Sequence, residues 1–251
     1  IGKIGEDPYG ELFRKEMISN HIQPMLLPGH HQTGTAITLL TPDAERTFAT
    51  YLGAAVELHA DDLSAEQFQN YDYLHIEGYL VQNHDLIRKA VSMAREMGMK
   101  VSMDMASYNI VAENRDFLLD IIQKFVDIPF ANEDEARALT GKEPEQALAE
   151  ISQWCDVAVV KIGKYGSWIK NNQTTIRVEG IPAVLKDTTG AGDLYASGFL
   201  YGLVNGYDLE TCGRIGSVTG GHVVEVYGAR MEENRWDGIR SAISKIVKTE
   251  S

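Results

Sequence analysis

The chain has 251 residues, 44% hydrophobic and 24% charged, an ordinary composition for a globule able to bury a large core, and one domain is the simplest count. Its net charge of −13 argues against nucleic acid or an anionic membrane as a partner, since either would need a basic face. Thr35–Leu40 and Arg46–Tyr51 alternate in character and predict a β-hairpin, within a lid-like region over about residues 25–52 that crosses towards the core sheet. From residue 70 onward, strand-like and helix-like segments take turns. Tyr73–Ile76 reads as a strand, and Asn83 to Gly98 as a helix stopped by glycine. Lys100–Asp104 is the next strand, followed by a helix from Glu113 to Phe125. Val126–Ala131 and Val157–Lys161 are further short apolar strands, with helices from Glu133 and Glu145 between them. This rhythm predicts a parallel sheet covered on both faces, with ligands at the carboxyl ends of its strands. Asp104, Asn132 and Lys161 all fall at such ends.

Ser167–Lys170 and Thr174–Val178 flank Asn171-Asn172-Gln173, a second hairpin. A glycine loop comes next, then a helix to Asn205, another from Asp208 towards Val226, and a closing helix from Arg235. Cys155 and Cys212 fall in segments read as helical, with neither metal spacing nor a disulfide framework, which suits a reducing cytoplasm. No apolar run is long enough to span a bilayer.

The glycine loop is Asp187-Thr188-Thr189-Gly190-Ala191-Gly192-Asp193. It has almost no side-chain bulk and runs straight into a helix pattern. The free N–H groups of that first turn, with the positive end of the helix dipole, suit an anion. Asp193 stands where the anion would be held. A carboxylate there repels bound phosphate, but it serves if its task is to take a proton from an attacking hydroxyl. A plain turn with a capping Asp fits the same residues. The loop lacks the Gly-Lys-Ser/Thr ending of a Walker A motif. It also lacks the third glycine of a dinucleotide fingerprint, because Tyr195 stands there, and this disfavours a dehydrogenase.

D-T-T-G-A-G-D followed by a small-residue helix resembles the C-terminal signature of the ribokinase-like (PfkB) family of carbohydrate and nucleoside kinases. Four further segments match it in the family's order. They are IGKIGEDPYG at residues 1–10, Asn132-Glu133-Asp134-Glu135 as the N-x-x-E motif, Lys161-Ile162-Gly163 with Gly166, and the Gly228-Ala229 pair. The resemblance implies a three-layer α/β/α sandwich with a mainly parallel sheet and a small β lid. It also implies that a segment carrying the first strand, part of the lid and a sugar-binding motif lies upstream of residue 1. The activity implied is ATP-dependent phosphorylation of a primary hydroxyl on a small sugar or nucleoside. Arg46 to Leu58 and Asp187 to Leu203 look most like bacterial adenosine-kinase-like members, with ribokinase- or fructokinase-type sugar kinases as the alternative. A non-catalytic regulator on the same fold stays open.

The family's roles carry over residue by residue. Asp193 would be the general base, and the N–H groups of Gly190, Ala191, Gly192 and Asp193 the anion hole. Asn132 and Glu135 would face the nucleotide, with Glu135 holding Mg²⁺, although Asn132 followed by Glu135 also fits a capping box. Lys161 closes an apolar strand, where its head must reach water or a phosphate; the family places it on the nucleotide side, with Gly163 and Gly166 letting the backbone pass close to ATP. Asp187 and Thr189 match positions that help bind a monovalent cation such as K⁺. Arg46 resembles an arginine near the transferred phosphate, and pairing with Asp43 or Glu45 is the plainer alternative. Asp104 could orient its neighbours and receives no role of its own. Family lids often pair, so a homodimer through the lid is implied as well.

Overall fold

The computed structural model describes residues 1–40 and 46–248, without the side chains of Leu40 and Arg46. They divide into two compact units, Ile1–Tyr71 with Asp85–Met93, and Asp72–His84 with Ala94–Ser251. In the first unit β1 (Gly2–Ile4) and β2 (Leu26–Pro28) pair in parallel on either side of helix α1 (Pro8–Ser19) in sequence. Proline at the first turn and Asp7 as N-cap start α1; the Asp7 side chain accepts from Gly10 N–H at 2.9 Å. The other Asp7 oxygen takes the Thr33 N–H at 2.6 Å. Glu57 accepts the N–H groups of both His30 and His31 and meets the His31 ring at 2.6 Å. These bonds pull its pKa down to about 2. Strands β3 (Thr35–Leu40) and β4 (Arg46–Tyr51) form the expected hairpin, in the register Thr35↔Tyr51. It is a two-stranded sheet of its own rather than an arm paired into the larger sheet.

Helix α2 (His84–Glu96) draws its residues from both units. The second unit holds a six-stranded sheet of β5 (Tyr73–Ile76), β6 (Lys100–Asp104), β7 (Ile128–Asn132), β8 (Val157–Lys161), β9 (Ser167–Asn171) and β10 (Thr175–Val178), in the order β10-β9-β8-β7-β6-β5. The first four strands run parallel; β9 turns back antiparallel to β8, and β10 pairs antiparallel with β9. Residues 101–104, 128–131 and 158–160 are buried without alternation, as expected for parallel strands covered on both faces. The flanking helices are α3 (Tyr108–Glu113), α4 (Arg115–Phe125), α5 (Glu133–Thr140), α6 (Pro144–Ile151), α7 (Ala191–Val204), α8 (Leu209–Val223) and α9 (Trp236–Lys248).

Two sequence expectations shift. The single helix expected from Glu113 is preceded by the separate turn α3, because Ser107 caps a start at Tyr108 and Asn114 leaves helical geometry between α3 and α4. Cys155 lies in the bend after α6 rather than in a helix, while Cys212 sits in α8; they form no disulfide.

Aromatic packing fixes α7 against the sheet. Phe130 from β7 meets Phe199 edge to face at 5.5 Å, both fully buried, with Tyr195, Ile169, Val159 and Cys212 around them. Each such ring contributes about 1.5–3 kcal/mol by burial. The Tyr195 hydroxyl would be orphaned there but pairs with Ser167 Oγ at 2.6 Å. Thr219 on α8 donates to the Leu194 carbonyl of α7 at 2.6 Å. The start of α7 is therefore held from below by β7 and β9 and from the side by α8. No helix among the described residues is long and apolar enough to cross a membrane.

Candidate active site

Strand register alone assembles half of the site. Asp104 pairs with Phe130, and Asn132 pairs with Lys161, so three strand ends deliver Asp104, Asn132 and Lys161 to one edge of the sheet. Asn132 caps α5: its side chain accepts the Glu135 N–H at 2.9 Å, and Glu135 accepts the Asn132 N–H at 2.7 Å. The capping box is real, and it also fixes Glu135 in place, with only 2% of its surface exposed. Loss of hydration pushes its pKa up to about 7, against the opposing pull of Lys161.

Lys161 finds a carboxylate partner at the strand ends. Its Nζ lies 2.7 Å from Asp104 Oδ2, with the two side chains 14% and 10% exposed. Burial disfavours the ammonium, but Asp104, then Glu135, outweigh it and hold the pKa above the ordinary lysine value. The other Asp104 oxygen accepts the Ala106 N–H at 2.9 Å and bends the chain through Ala106 at φ +61°.

The glycine loop comes down onto this pair. Gly190 is the N-cap of α7 in the left-handed region, φ +78°, and offers no side chain to the helix start. A β carbon at Gly192 would stand 3.0 Å from Lys161 Nζ and 4.0 Å from Asp104 Oδ2. Asp193 is exposed in the first turn of α7 and acts electrostatically on Lys161. Of the four N–H groups expected to form the anion hole, that of Ala191 is already turned to the Thr188 carbonyl at 3.2 Å. Gly192 and Asp193 occupy first-turn positions, whose N–H groups have no carbonyl four residues back within the helix.

Asp187 is buried and holds the loop together. Oδ1 accepts the N–H and hydroxyl of Thr189 at 2.9 and 2.7 Å, and Oδ2 accepts the Gly228 N–H at 2.9 Å. No cluster of three or more His, Cys, Asp or Glu suited to a metal is found among the described residues. Gly163 and Gly166 take φ +56° and +92° at the β8–β9 turn, and a side chain at Gly166 would run into the Val178 carbonyl. Arg46 opens β4, but its side chain lies outside the described residues.

Two groups were missed from the sequence. Glu77, the residue after β5, is lifted to about 7 by loss of hydration and by the charges of Asp104 and Asp193. His75 on the same strand is lowered by burial and pairs through Nδ1 with Ser102 Oγ at 2.8 Å. The strand-end rule that singled out Asp104, Asn132 and Lys161 would have found Glu77 as well.

A parallel sheet whose carboxyl edge carries a buried cation and carboxylates beneath a glycine-capped helix start defines a phosphoryl-handling α/β enzyme. Residues 1–235 match the pfkB family carbohydrate kinase profile, and the chain belongs to that family. It has the ribokinase-like fold, and it is a sugar or nucleoside kinase, a phosphotransferase. The adenosine kinase of Sinorhizobium meliloti superimposes with a TM-score of 0.89 at 33% identity, over 96% of this chain and 76% of that one. A "probable sugar kinase" from Rhizobium etli gives 0.89 at 32% identity, over 96% and 75%. An "uncharacterized sugar kinase" of Archaeoglobus fulgidus is 28% identical over 236 residues, 92% of each chain.

Kinases of this family use ATP and Mg²⁺. The residues present suit them. Gly192 leaves open a space that a β carbon would fill next to an ammonium, a helix start faces it, and a buried carboxylate, Glu135, lies within electrostatic reach of that ammonium.

Proposed function

We propose that this chain transfers a phosphoryl group from Mg·ATP to a primary hydroxyl, with Asp193 as the general base and adenosine as the leading acceptor. The observation that carries the reading is an exposed carboxylate, Asp193, in the first turn of a glycine-capped helix, where the residue before it, Gly192, comes against the Lys161–Asp104 pair. When bound, Mg·ATP supplies the phosphoryl group and neutralises part of its charge. Asn132 and Glu135 would hold the metal and nucleotide side, with a magnesium ion favouring the ionised form of the buried Glu135. Asp193 takes the proton from the acceptor hydroxyl. The N–H groups of Gly190, Gly192 and Asp193 receive the charge that develops on the phosphoryl oxygens, and each such donor is worth about 3 kcal/mol. Asp187 and Thr189 brace this loop and are the place to look for a K⁺ requirement.

Adenosine leads because the Sinorhizobium adenosine kinase shares a third of its residues over nearly the whole chain. A furanose or ketose sugar is the second reading, supported by the sugar-kinase descriptions of the Rhizobium and Archaeoglobus relatives. The test is ATP consumption with Mg²⁺, with and without K⁺, against adenosine, other nucleosides, ribose and fructose. Turnover that depends on adenosine and disappears in Asp193→Asn, with ADP affinity kept within about threefold, is the expected result. Turnover with a sugar alone removes adenosine, and an active Asp193→Asn removes the base.

A further inference from the structure

Asp104 ends β6 with its carboxylate shared between two tasks. One oxygen bends the chain at Ala106, and the other fixes the Lys161 ammonium at 2.7 Å. A lysine head on a four-carbon stem has many positions available. This one is held where a β carbon on Gly192 would stand only 3.0 Å away. Stability does not explain the arrangement, since a desolvated Lys–Asp pair is often no better than apolar packing of the same volume. Its distinguishing property is its place at the lip of α7, with Glu135 and Asp193 also acting on the same ammonium.

We propose that Asp104 is a positioning residue for phosphoryl transfer, holding the Lys161 ammonium at Gly192 so that it joins the α7 N–H groups in taking the negative charge of the transferred group. The inference rests on the phosphotransfer reading and adds to it a side-chain donor and the residue that aims it. The Asp104 charge offsets the ammonium towards a resting polyanion. Losing that charge therefore leaves nucleotide binding unchanged or tighter. The cost falls on the rate, because the donor is no longer aimed at the charge that develops in transfer.

Asp104→Asn keeps an acceptor for Ala106 and removes the charge. Its kcat should fall by about 10- to 100-fold, the cost of a donor displaced by about 1 Å, while calorimetric ADP affinity stays within about threefold. A second measurement needs no turnover: the gain in affinity when aluminium fluoride is added to protein, ADP and Mg²⁺, a mimic of the group in transfer. That gain should shrink in Asp104→Asn by the same factor as kcat and shrink equally in Lys161→Met. The double variant should be no worse than Lys161→Met, because Asp104 acts through the lysine. Asp104→Glu should recover part of the loss, and it decides the matter against Lys161→Met if thermal melts show Asp104→Asn unfolded. An unchanged kcat and fluoride gain in Asp104→Asn, a parallel loss of ADP affinity, or additive effects in the double variant would overturn the proposal. A wild-type chain without acceptor-dependent turnover sinks the phosphotransfer reading by itself, since the fluoride gain still decides the role of Asp104.

Discussion

Replacing Gly190 by alanine tests whether the start of α7 is built as described. Gly190 sits at φ +78°, and an added β carbon would lie 2.9 Å from Ala229 Cβ and 3.0 Å from its Cα. The left-handed backbone costs an L-residue about 1–2 kcal/mol. The contact is far inside the ~3.5–4.0 Å at which carbons rest, and overpacking of this kind costs about 1–3 kcal/mol. Stiffening of the unfolded chain returns about 0.4–1 kcal/mol, leaving a net loss of about 1–5 kcal/mol. Gly141 supplies the control, since it has φ +75° with nothing within 4 Å of its β position. Gly141→Ala carries the same backbone cost and unfolded-state return without the clash, about 0–1.6 kcal/mol net, and should lower Tm by no more than about 6 °C, with kcat unchanged, in a chain of this size. Gly190→Ala should lower Tm by about 2–12 °C more than Gly141→Ala does, the share of the overpacking, or, if the loop relaxes to spare the fold, lose most of its kcat. Differential scanning calorimetry with steady-state kinetics on both variants separates the two outcomes. Gly190→Ala melting within a degree of Gly141→Ala, with full kcat, would refute the packing of this loop on Ala229.

Two further perturbations read the carboxylates. Glu135→Gln should raise the Mg²⁺ concentration needed for half-maximal turnover, and an unchanged titration returns Glu135 to helix capping alone. Burial lifts the folded-state pKa of Glu135 from 4.5 to about 7, so the metal-free protein should lose stability as pH rises from 4.5 to 7, and Glu135→Gln should flatten part of that fall. Glu57 has the opposite sign. Its pKa is lowered from 4.5 to about 2, first by the His30 and His31 N–H bonds and then by the His31 ring. Its contribution is present above pH 4.5 and lost as pH falls through 2. Glu57→Gln should therefore melt lower than wild type at pH 7, with the difference closing on acidification in circular-dichroism melts; a constant difference would show that the Glu57 charge is not what holds the turn.

The alternation of apolar strands and helices was legible because short-range chemistry decides it. Tyr73–Ile76, Lys100–Asp104 and Val157–Lys161 form strands over the residues expected of them. Helix α3 was missed because it is a single short turn set by the Ser107 cap, too short to show an apolar period of its own. Among site residues, the Asn132–Glu135 spacing marks both a capping box and a ligand pair, and a local pattern cannot separate uses that share one geometry. Glu77 follows its strand as Asp104 closes its own, so its place was legible; its raised pKa was not, because it comes first from burial and then from Asp104 and Asp193, residues far away in sequence.

The chain's own order determined that a glycine-capped helix start would follow a parallel sheet, and that Asp104, Asn132 and Lys161 would close their strands. Those are consequences of backbone freedom and side-chain period, written within a few residues of each position. The partner of Lys161 was decided only in three dimensions. Asp104 lies 57 residues away in sequence and becomes its counter-ion because β7 carries β6 and β8 on either side. The Phe130–Phe199 contact then holds α7 over the result. Electrostatic pairing across that distance depends on strand order and depth of burial, and neither is encoded at any one point along the sequence.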